Sequence, residues 1–508
     1  MRFPRSSGIV LHPTSLPGRY GIGELGAEAH RFLDFLSDAG QKIWQVLPLG
    51  PTGYADSPYQ CFSAFAGNPL LIDLEELASA GLIGRTALAA AELPPCCDAV
   101  DYGCVLEFKL PLLAAAAREF HTHAASSERE AFDAFTRRHA GWLDEFALFM
   151  ALKKQHGGVA WTRWPRPAAM REPDALARAR DQLAPEIAAQ KFTQYVFFRQ
   201  WQRVRAACRE RGIQVLGDVP IYVAHDSADV WASPQLFRLD AEGNPAVVAG
   251  VPPDYFSATG QLWGNPIYRW DRMAQDGYTW WIERLRATLA TVDMIRLDHF
   301  RGFEAYWEVP AGEATAQHGR WVKGPGEVFF EVAEKALGQL PLVAENLGVI
   351  TPEVESIRAR FGYPGMAILQ FAFGTDPQGP SFRPHNYARE LVAYTGTHDN
   401  DTTLGWWNSE AATDSTRSAR DIEEERAFTL SYLGAGGDGI HWTFIRTVMA
   451  SVADVALFPL QDVLGLGSEA RMNLPGRPGG NWRWRFRRDM LKPELAARLK
   501  ELARMYDR

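Results

Sequence analysis

Eight short apolar runs recur along the chain: GIVLH (8–12), IWQVLPL (43–49), IQVLGDV (213–219), MIRLDH (294–299), LPLVAE (340–345), MAILQFAF (366–373), LVAYTGTH (391–398) and VALFPL (455–460). Near-continuous aliphatic and β-branched runs suit strands covered on both faces, as in a parallel sheet. Helical patterns separate them. In EAHRFLDFLSDAG (28–40), Phe32, Phe35 and Leu36 share one helical face and Gly40 supplies the stop. Strand–helix alternation repeated eight times predicts an α/β fold of the (βα)8, or TIM-barrel, type rather than an open doubly wound sheet.

The runs are unevenly spaced. Barrels carry long insertions within one domain, so the expectation is a single catalytic barrel over 1–508 with two insertions. The segment 53–205, after the second strand, is rich in Ala, Glu and Arg (VLEFKLPLLAAAAREF, DEFALFMALKKQHGG) and reads as mostly helical. The segment 224–290, after the third, is rich in Pro, Gly and aromatics and centres on GVPPDYFSATGQLWGNPIYRW. Long loops without regular structure are usually functional, so it reads as a lid or substrate loop. Nothing resembling a C-terminal β-sandwich follows the eighth run.

Composition removes several function classes. Lys+Arg 53 against Asp+Glu 61 leaves −8, which argues against a nucleic-acid or anionic-membrane partner. The five cysteines are odd in number and include the adjacent pair Cys96 and Cys97, which suits a reducing compartment better than a disulfide framework. The first apolar stretch ends at His12 and Pro13, too short for a signal-peptide core, and no run of about twenty apolar residues exists. A cytoplasmic protein is expected.

Three motifs are weaker than they look. GIGELG (21–26) matches the dinucleotide glycine pattern, but Pro13 and Pro17 intervene after the strand and no acid stands at the right distance. A turn capping the first helix accounts for it better. Cys96, Cys97, Cys104, His121 and His123 lack a chelating spacing, so neither a metal nor a cofactor is expected. The basic, Trp-bearing RMNLPGRPGGNWRWRFRRD (471–489) reads as a solvated face or pocket rim in an acidic chain.

The chemistry gathers where three runs end on acids: Asp298 in MIRLDHFRG, Glu345 in LVAENLG and Asp399 in YTGTHDN. In a parallel barrel those strand ends form the face where reactions occur. Clustered carboxylates repel, whereas a pair of them around an oxocarbenium-like transition state is what glycosyl transfer requires. Arg296 and Asp298, two apart on a strand, point to one face, and the arginine is expected to lower the acid's pKa and keep it ionised. Glu345 follows an apolar run that suits a protonated general acid. Each has a plainer account: a structural Arg–Asp pair, a helix-capping acid in ENLG, and turn chemistry in THDN.

IRLDHFRG, VAENLG and TGTHDN, with GDVPIYVAHDSADVW (217–231) upstream, resemble the motif regions of α-amylase-type glycoside enzymes. SGIVLHPTSLPGRYGIGELG (7–26), QVLPLGPTGYADSPYQCFSAFAGNP (45–69), GVPPDYFSATGQLWGNPIY (250–268) and RMNLPG…GNWRWR (471–485) sharpen that to the amylomaltases, or 4-α-glucanotransferases. The resemblance implies Asp298 as nucleophile, Glu345 as general acid/base and Asp399 as transition-state stabiliser. It implies Arg296, His398 and Asp218 at the cleavage subsite. Ser57, Tyr59, Gln261 and Trp263 would contact neighbouring glucose rings, with Tyr255 and Phe256 on a lid over the acceptor side. The expected activity is transfer of α-1,4-glucan segments between maltooligosaccharide or starch chains by a retaining double displacement. An amylase-type α-glucan hydrolase and a non-catalytic glycan-binding barrel are the alternatives.

Overall fold

A computed structural model of the chain describes residues 3–89, 98–253, 259–410, 418–477 and 479–508. Strands β1 (Ser6–Val10), β2 (Ile43–Gln45) and β3 (Gln214–Pro220) precede β4 (Val247–Val251) and β5 (Gln261–Pro266). After them come β6 (Met294–Asp298), β7 (Ala305–Pro310), β8 (Arg320–Lys323), β9 (Leu342–Ala344), β10 (Gly365–Ile368), β11 (Leu391–Tyr394) and β12 (Val455–Pro459). Eight of these form a parallel sheet in the order β10-β11-β12-β1-β2-β3-β6-β9. They are the eight apolar runs of the sequence. Across the remaining seam, the Ala344 N–H donates to the Pro364 carbonyl at 2.8 Å and the Met366 N–H to Asn346 Oδ1 at 2.8 Å, so the sheet is a nearly closed TIM barrel.

Alternation along each strand divides the core in two. Val10, Ile43, Leu216, Met294, Val343, Met366, Val392 and Val455 fill the barrel interior. Their neighbours, among them Ile9, Trp44, Val215, Ile295, Ala344, Ala393 and Ala456, pack outward on the helices. Helix Ala27–Asp38 buries Ala29, Phe32, Leu33, Phe35 and Leu36, the face its periodicity predicts, and Gly40 after it sits at φ +68°. Gly26 of GIGELG is the N-cap of that helix. At Gly8 a Cβ would lie 2.2 Å from the Ile43 carbonyl oxygen, so β1 and β2 pair only because that side chain is absent.

Between β2 and β3 lie helices, the longest being Tyr102–His123, Ser126–Gln155 and Ala184–Glu210. The segment 224–290 is not irregular loop throughout. It holds β4 and β5, which join β7 and β8 in an antiparallel sheet of order β5-β4-β7-β8, and the helix Thr279–Leu289. Among the described residues no helix is long and apolar enough to cross a membrane.

One buried cation ties the helical segment to the barrel. Lys109, fully buried, donates to Glu24 Oε1 at 2.5 Å and to the Leu70 and Ile72 carbonyls, each at 2.7 Å. Burial lowers the Lys109 pKa and pushes Glu24 up to about 7, so desolvation outweighs the attraction between them. Lys109→Met should therefore cost about 3–5 kcal/mol by stranding the carboxylate, and adding Glu24→Gln should restore much of it. Urea unfolding measures both; a double variant with summed losses would contradict this.

Candidate active site

Register builds the site before any side chain is considered. The β3–β6 ladder aligns Asp218 with Arg296 and Pro220 with Asp298. The β6–β9 ladder aligns Arg296 with Val343 and Leu297 with Ala344, and the Glu345 N–H donates to the Leu297 carbonyl at 3.1 Å. Asp298 and Glu345 thus stand next to each other at the carboxyl ends of adjacent strands, where parallel barrels carry their chemistry.

Arg296 is the hub. Its Nη1 donates to both oxygens of Asp218, at 2.8 and 2.7 Å, and its Nη2 reaches Asp298 Oδ1 at 2.9 Å. Tyr59 Oη donates to Asp218 Oδ2 at 2.8 Å. Asp218 and Arg296 are buried, whereas Asp298 keeps 28% of its side-chain surface open. The sequence reading expected Arg296 to pull Asp298 below the usual carboxylate range. The direction is the opposite: burial pushes it up to about 6, with Arg296 opposing and Asp218 and Asp399 adding to the rise.

Glu345 accepts the His299 N–H at 2.7 Å on Oε2 and the Leu347 N–H at 3.0 Å on Oε1. Burial, reinforced by the charge of Asp298, still raises it to about 7. His299 holds φ +53°, a left-handed turn that brings its amide onto the acid. Asp399, 46% open, accepts from Asn473 Nδ2 at 2.6 Å, and His398 Nε2 lies 3.4 Å from the same oxygen.

The remaining expected residues divide. Tyr59 stacks on His398 with ring centres 5.0 Å apart, and Trp482 lies 5.7 Å from Tyr59 and 5.9 Å from His398. Ser57 Oγ accepts the Tyr59 N–H at 3.2 Å, so its hydroxyl shapes the loop that carries Tyr59. On β5, Trp263 meets the His299 ring edge-on at 4.8 Å and donates to Gln261 Oε1 at 3.2 Å. Tyr255, Phe256, Cys96 and Cys97 lie outside the described residues.

Sequence reasoning passed over Asn473 and Trp482, which come from the basic segment read as a rim. Arg471 of that segment donates to the Asp399 carbonyl at 2.7 Å, and the Asn473 N–H donates to the His398 carbonyl at 3.0 Å. The segment is a brace for the third acid. The Asn within NLPG, a turn-forming cluster, was the signal available.

A sequence profile of the 4-alpha-glucanotransferases (glycoside hydrolase family 77) matches residues 11–491. The chain is 53% identical to the 4-alpha-glucanotransferase of Thermus thermophilus, covering all of both chains. It is 50% identical to that of Synechocystis, over 99% of this chain and 98% of the relative. Among solved structures, the amylomaltase from Streptococcus agalactiae in complex with acarbose superposes with a TM-score of 0.94 at 39% identity, covering 99% of each chain.

Removing the hub cation isolates its role. Arg296→Met should lose about 3–5 kcal/mol near neutral pH, because it leaves buried carboxylates unpaired. The loss should shrink below the Asp298 value of about 6, where that carboxyl is already protonated. Unfolding midpoints on either side of that value test this; a pH-independent loss would contradict it.

Proposed function

The chain belongs to the 4-alpha-glucanotransferase family and is an enzyme of that class, and we propose that it works by a retaining double displacement with Asp298 as nucleophile and Glu345 as acid/base. The donor is a maltooligosaccharide or starch chain, and the acceptor is the 4-hydroxyl of a glucan or of glucose. The observation that carries the reading is the adjacency of the two acids. Neighbouring strands run about 4.8 Å apart, close to the roughly 5–5.5 Å that retention needs and short of the roughly 6.5–9.5 Å of inverting pairs.

In the first step an Asp298 oxygen attacks the anomeric carbon, the glycosidic C–O bond breaks, and Glu345 gives its proton to the leaving oxygen. A glucosyl ester on Asp298 results. Glu345, now a carboxylate, takes the proton of the acceptor hydroxyl as that oxygen attacks the same carbon and Asp298 departs. Burial and the Asp298 charge raise Glu345, which suits a general acid that holds its proton near neutral pH. The Arg296 ion pair lies on the nucleophile, where it favours the charged form.

Asp399 is the stabiliser of the positive charge that develops at the anomeric carbon, with Asn473 fixing its orientation. Arg296, His398 and Asp218 hold the sugar at the cleavage subsite. Ser57, Tyr59, Gln261 and Trp263 serve neighbouring rings, and Tyr255 and Phe256 cover the acceptor. The helical segment 53–205 and the segment 224–290 are insertions of one barrel domain, the second supplying that cover, and the protein works in the cytoplasm. A hydrolase would use the same two acids with water as acceptor; family membership favours the sugar.

Maltotriose separates transfer from hydrolysis. Transfer gives longer and shorter oligosaccharides with the number of reducing ends unchanged; rising reducing ends without longer products would refute it. Asp298→Asn should abolish turnover. The pH dependence of kcat/KM should be a narrow bell, rising as Asp298 ionises through about 6 and falling as Glu345 loses its proton through about 7. A profile flat across that window would contradict the assignments.

A further inference from the structure

His12 ends the first apolar run and has no part in the mechanism above, yet it is buried beside His398. It is 4% exposed, and its Nδ1 bonds no other group among the described residues. The Ser15 hydroxyl, 1% exposed, is in the same condition. Leaving two buried polar atoms unbonded costs about 1–3 kcal/mol each. Both residues line a cavity of about 20 Å³, and His398 lines it too. A cavity of about 10–15 Å³ suffices for one water, provided two to four polar partners face it.

The other polar groups around this cavity are engaged elsewhere. Asp401 accepts from Ser468 Oγ at 2.6 Å and from the Thr402 N–H at 2.8 Å. Arg471 donates to the Asp399 and Asn473 carbonyls. Asn400 Oδ1 holds the Thr397 N–H at 2.8 Å, and Gln461 donates to the Ala470 carbonyl at 3.1 Å. His12, Ser15, His398 and the indole N–H of Trp484, which also lines the cavity, remain.

We propose that His12 is a positioning residue for His398, acting through one ordered water in the cavity they share. The water donates one hydrogen to His12 Nδ1 and the other to His398 Nδ1, and accepts from Ser15 Oγ. His398 then carries its proton on Nε2, the nitrogen that faces Asp399, and the ring cannot flip without breaking the water bridge. Burial keeps His12 neutral, with its pKa lowered to about 3, as an acceptor at Nδ1 must be. The inference rests on the reading of His398 as a sugar-binding group at the cleavage subsite.

The test is a coupled set of variants assayed for maltotriose disproportionation. His12→Phe fills the ring's volume without an acceptor and should lower kcat roughly tenfold to a hundredfold at little change in KM. His12→Asn carries an oxygen near the Nδ1 position and should recover most of that loss at equal melting temperature. Placed in a His398→Ala background, His12→Phe should have no further effect, because its route is gone. Ser15→Ala, a one-atom deletion, should move kcat in the same direction even if His12→Phe fails to fold. Equal losses in His12→Phe and His12→Asn, a full additive loss on top of His398→Ala, or unchanged kcat in Ser15→Ala would each overturn the proposal. Full activity in His398→Ala itself would instead sink the reading of His398, which separates the two failures.

Discussion

Everything at the cleft depends on one guanidinium held between two carboxylates. Arg296 spans β3 and β6, with both Asp218 oxygens on one nitrogen and Asp298 on the other. A buried ion pair gains little net stability, because desolvation offsets the attraction. What it provides here is orientation. Asp218 absorbs one edge of the guanidinium and, through Tyr59, ties it to the loop whose aromatic ring stacks on His398. The other edge is thereby aimed at Asp298. The same strand register that aligns Asp218 with Arg296 brings Asp298 beside Glu345, so one backbone ladder sets the clamp and the acid pair together.

Burial then separates the two acids in role. Both are pushed upward, but Arg296 is in direct ion-pair contact with Asp298, while Glu345 feels that cation at longer range, beside the Asp298 charge and two backbone amides. Desolvation at the barrel end is the largest cause of the rise in both, and the negative charge of the other carboxylates adds to it. Asp399 stands apart, more open and braced by Asn473 and Arg471 from a segment distant in sequence. Two acids set by ladder geometry and one set by a loop brace suit a covalent exchange beside an electrostatic support.

Much of this was legible in the chain. Buried parallel strands leave dense apolar runs, and all eight reappear as the barrel. The spacing of two between Arg296 and Asp298 carried their shared face. The antiparallel sheet β5-β4-β7-β8 was not legible, because its strands are short and mix Gly, Pro and charged residues, as in QLWGNP and RWVK. The partnership of Asp218 with Arg296 is a matter of register, which local pattern does not encode. Nor does local pattern carry burial: reading Arg296 next to Asp298 as a net lowering of the acid failed because the desolvation comes from the whole barrel end.

The central claim is that Asp298 becomes covalently bound to sugar. Rapid quenching of the Glu345→Gln variant with an activated α-maltosyl fluoride, which needs no acid to leave, followed by peptide mass mapping, tests it directly. The account predicts a maltosyl adduct on the peptide containing Asp298, absent when Asp298 is also changed to Asn. An adduct on a different residue, or turnover of the fluoride with Asp298→Asn at the parent rate, would contradict it.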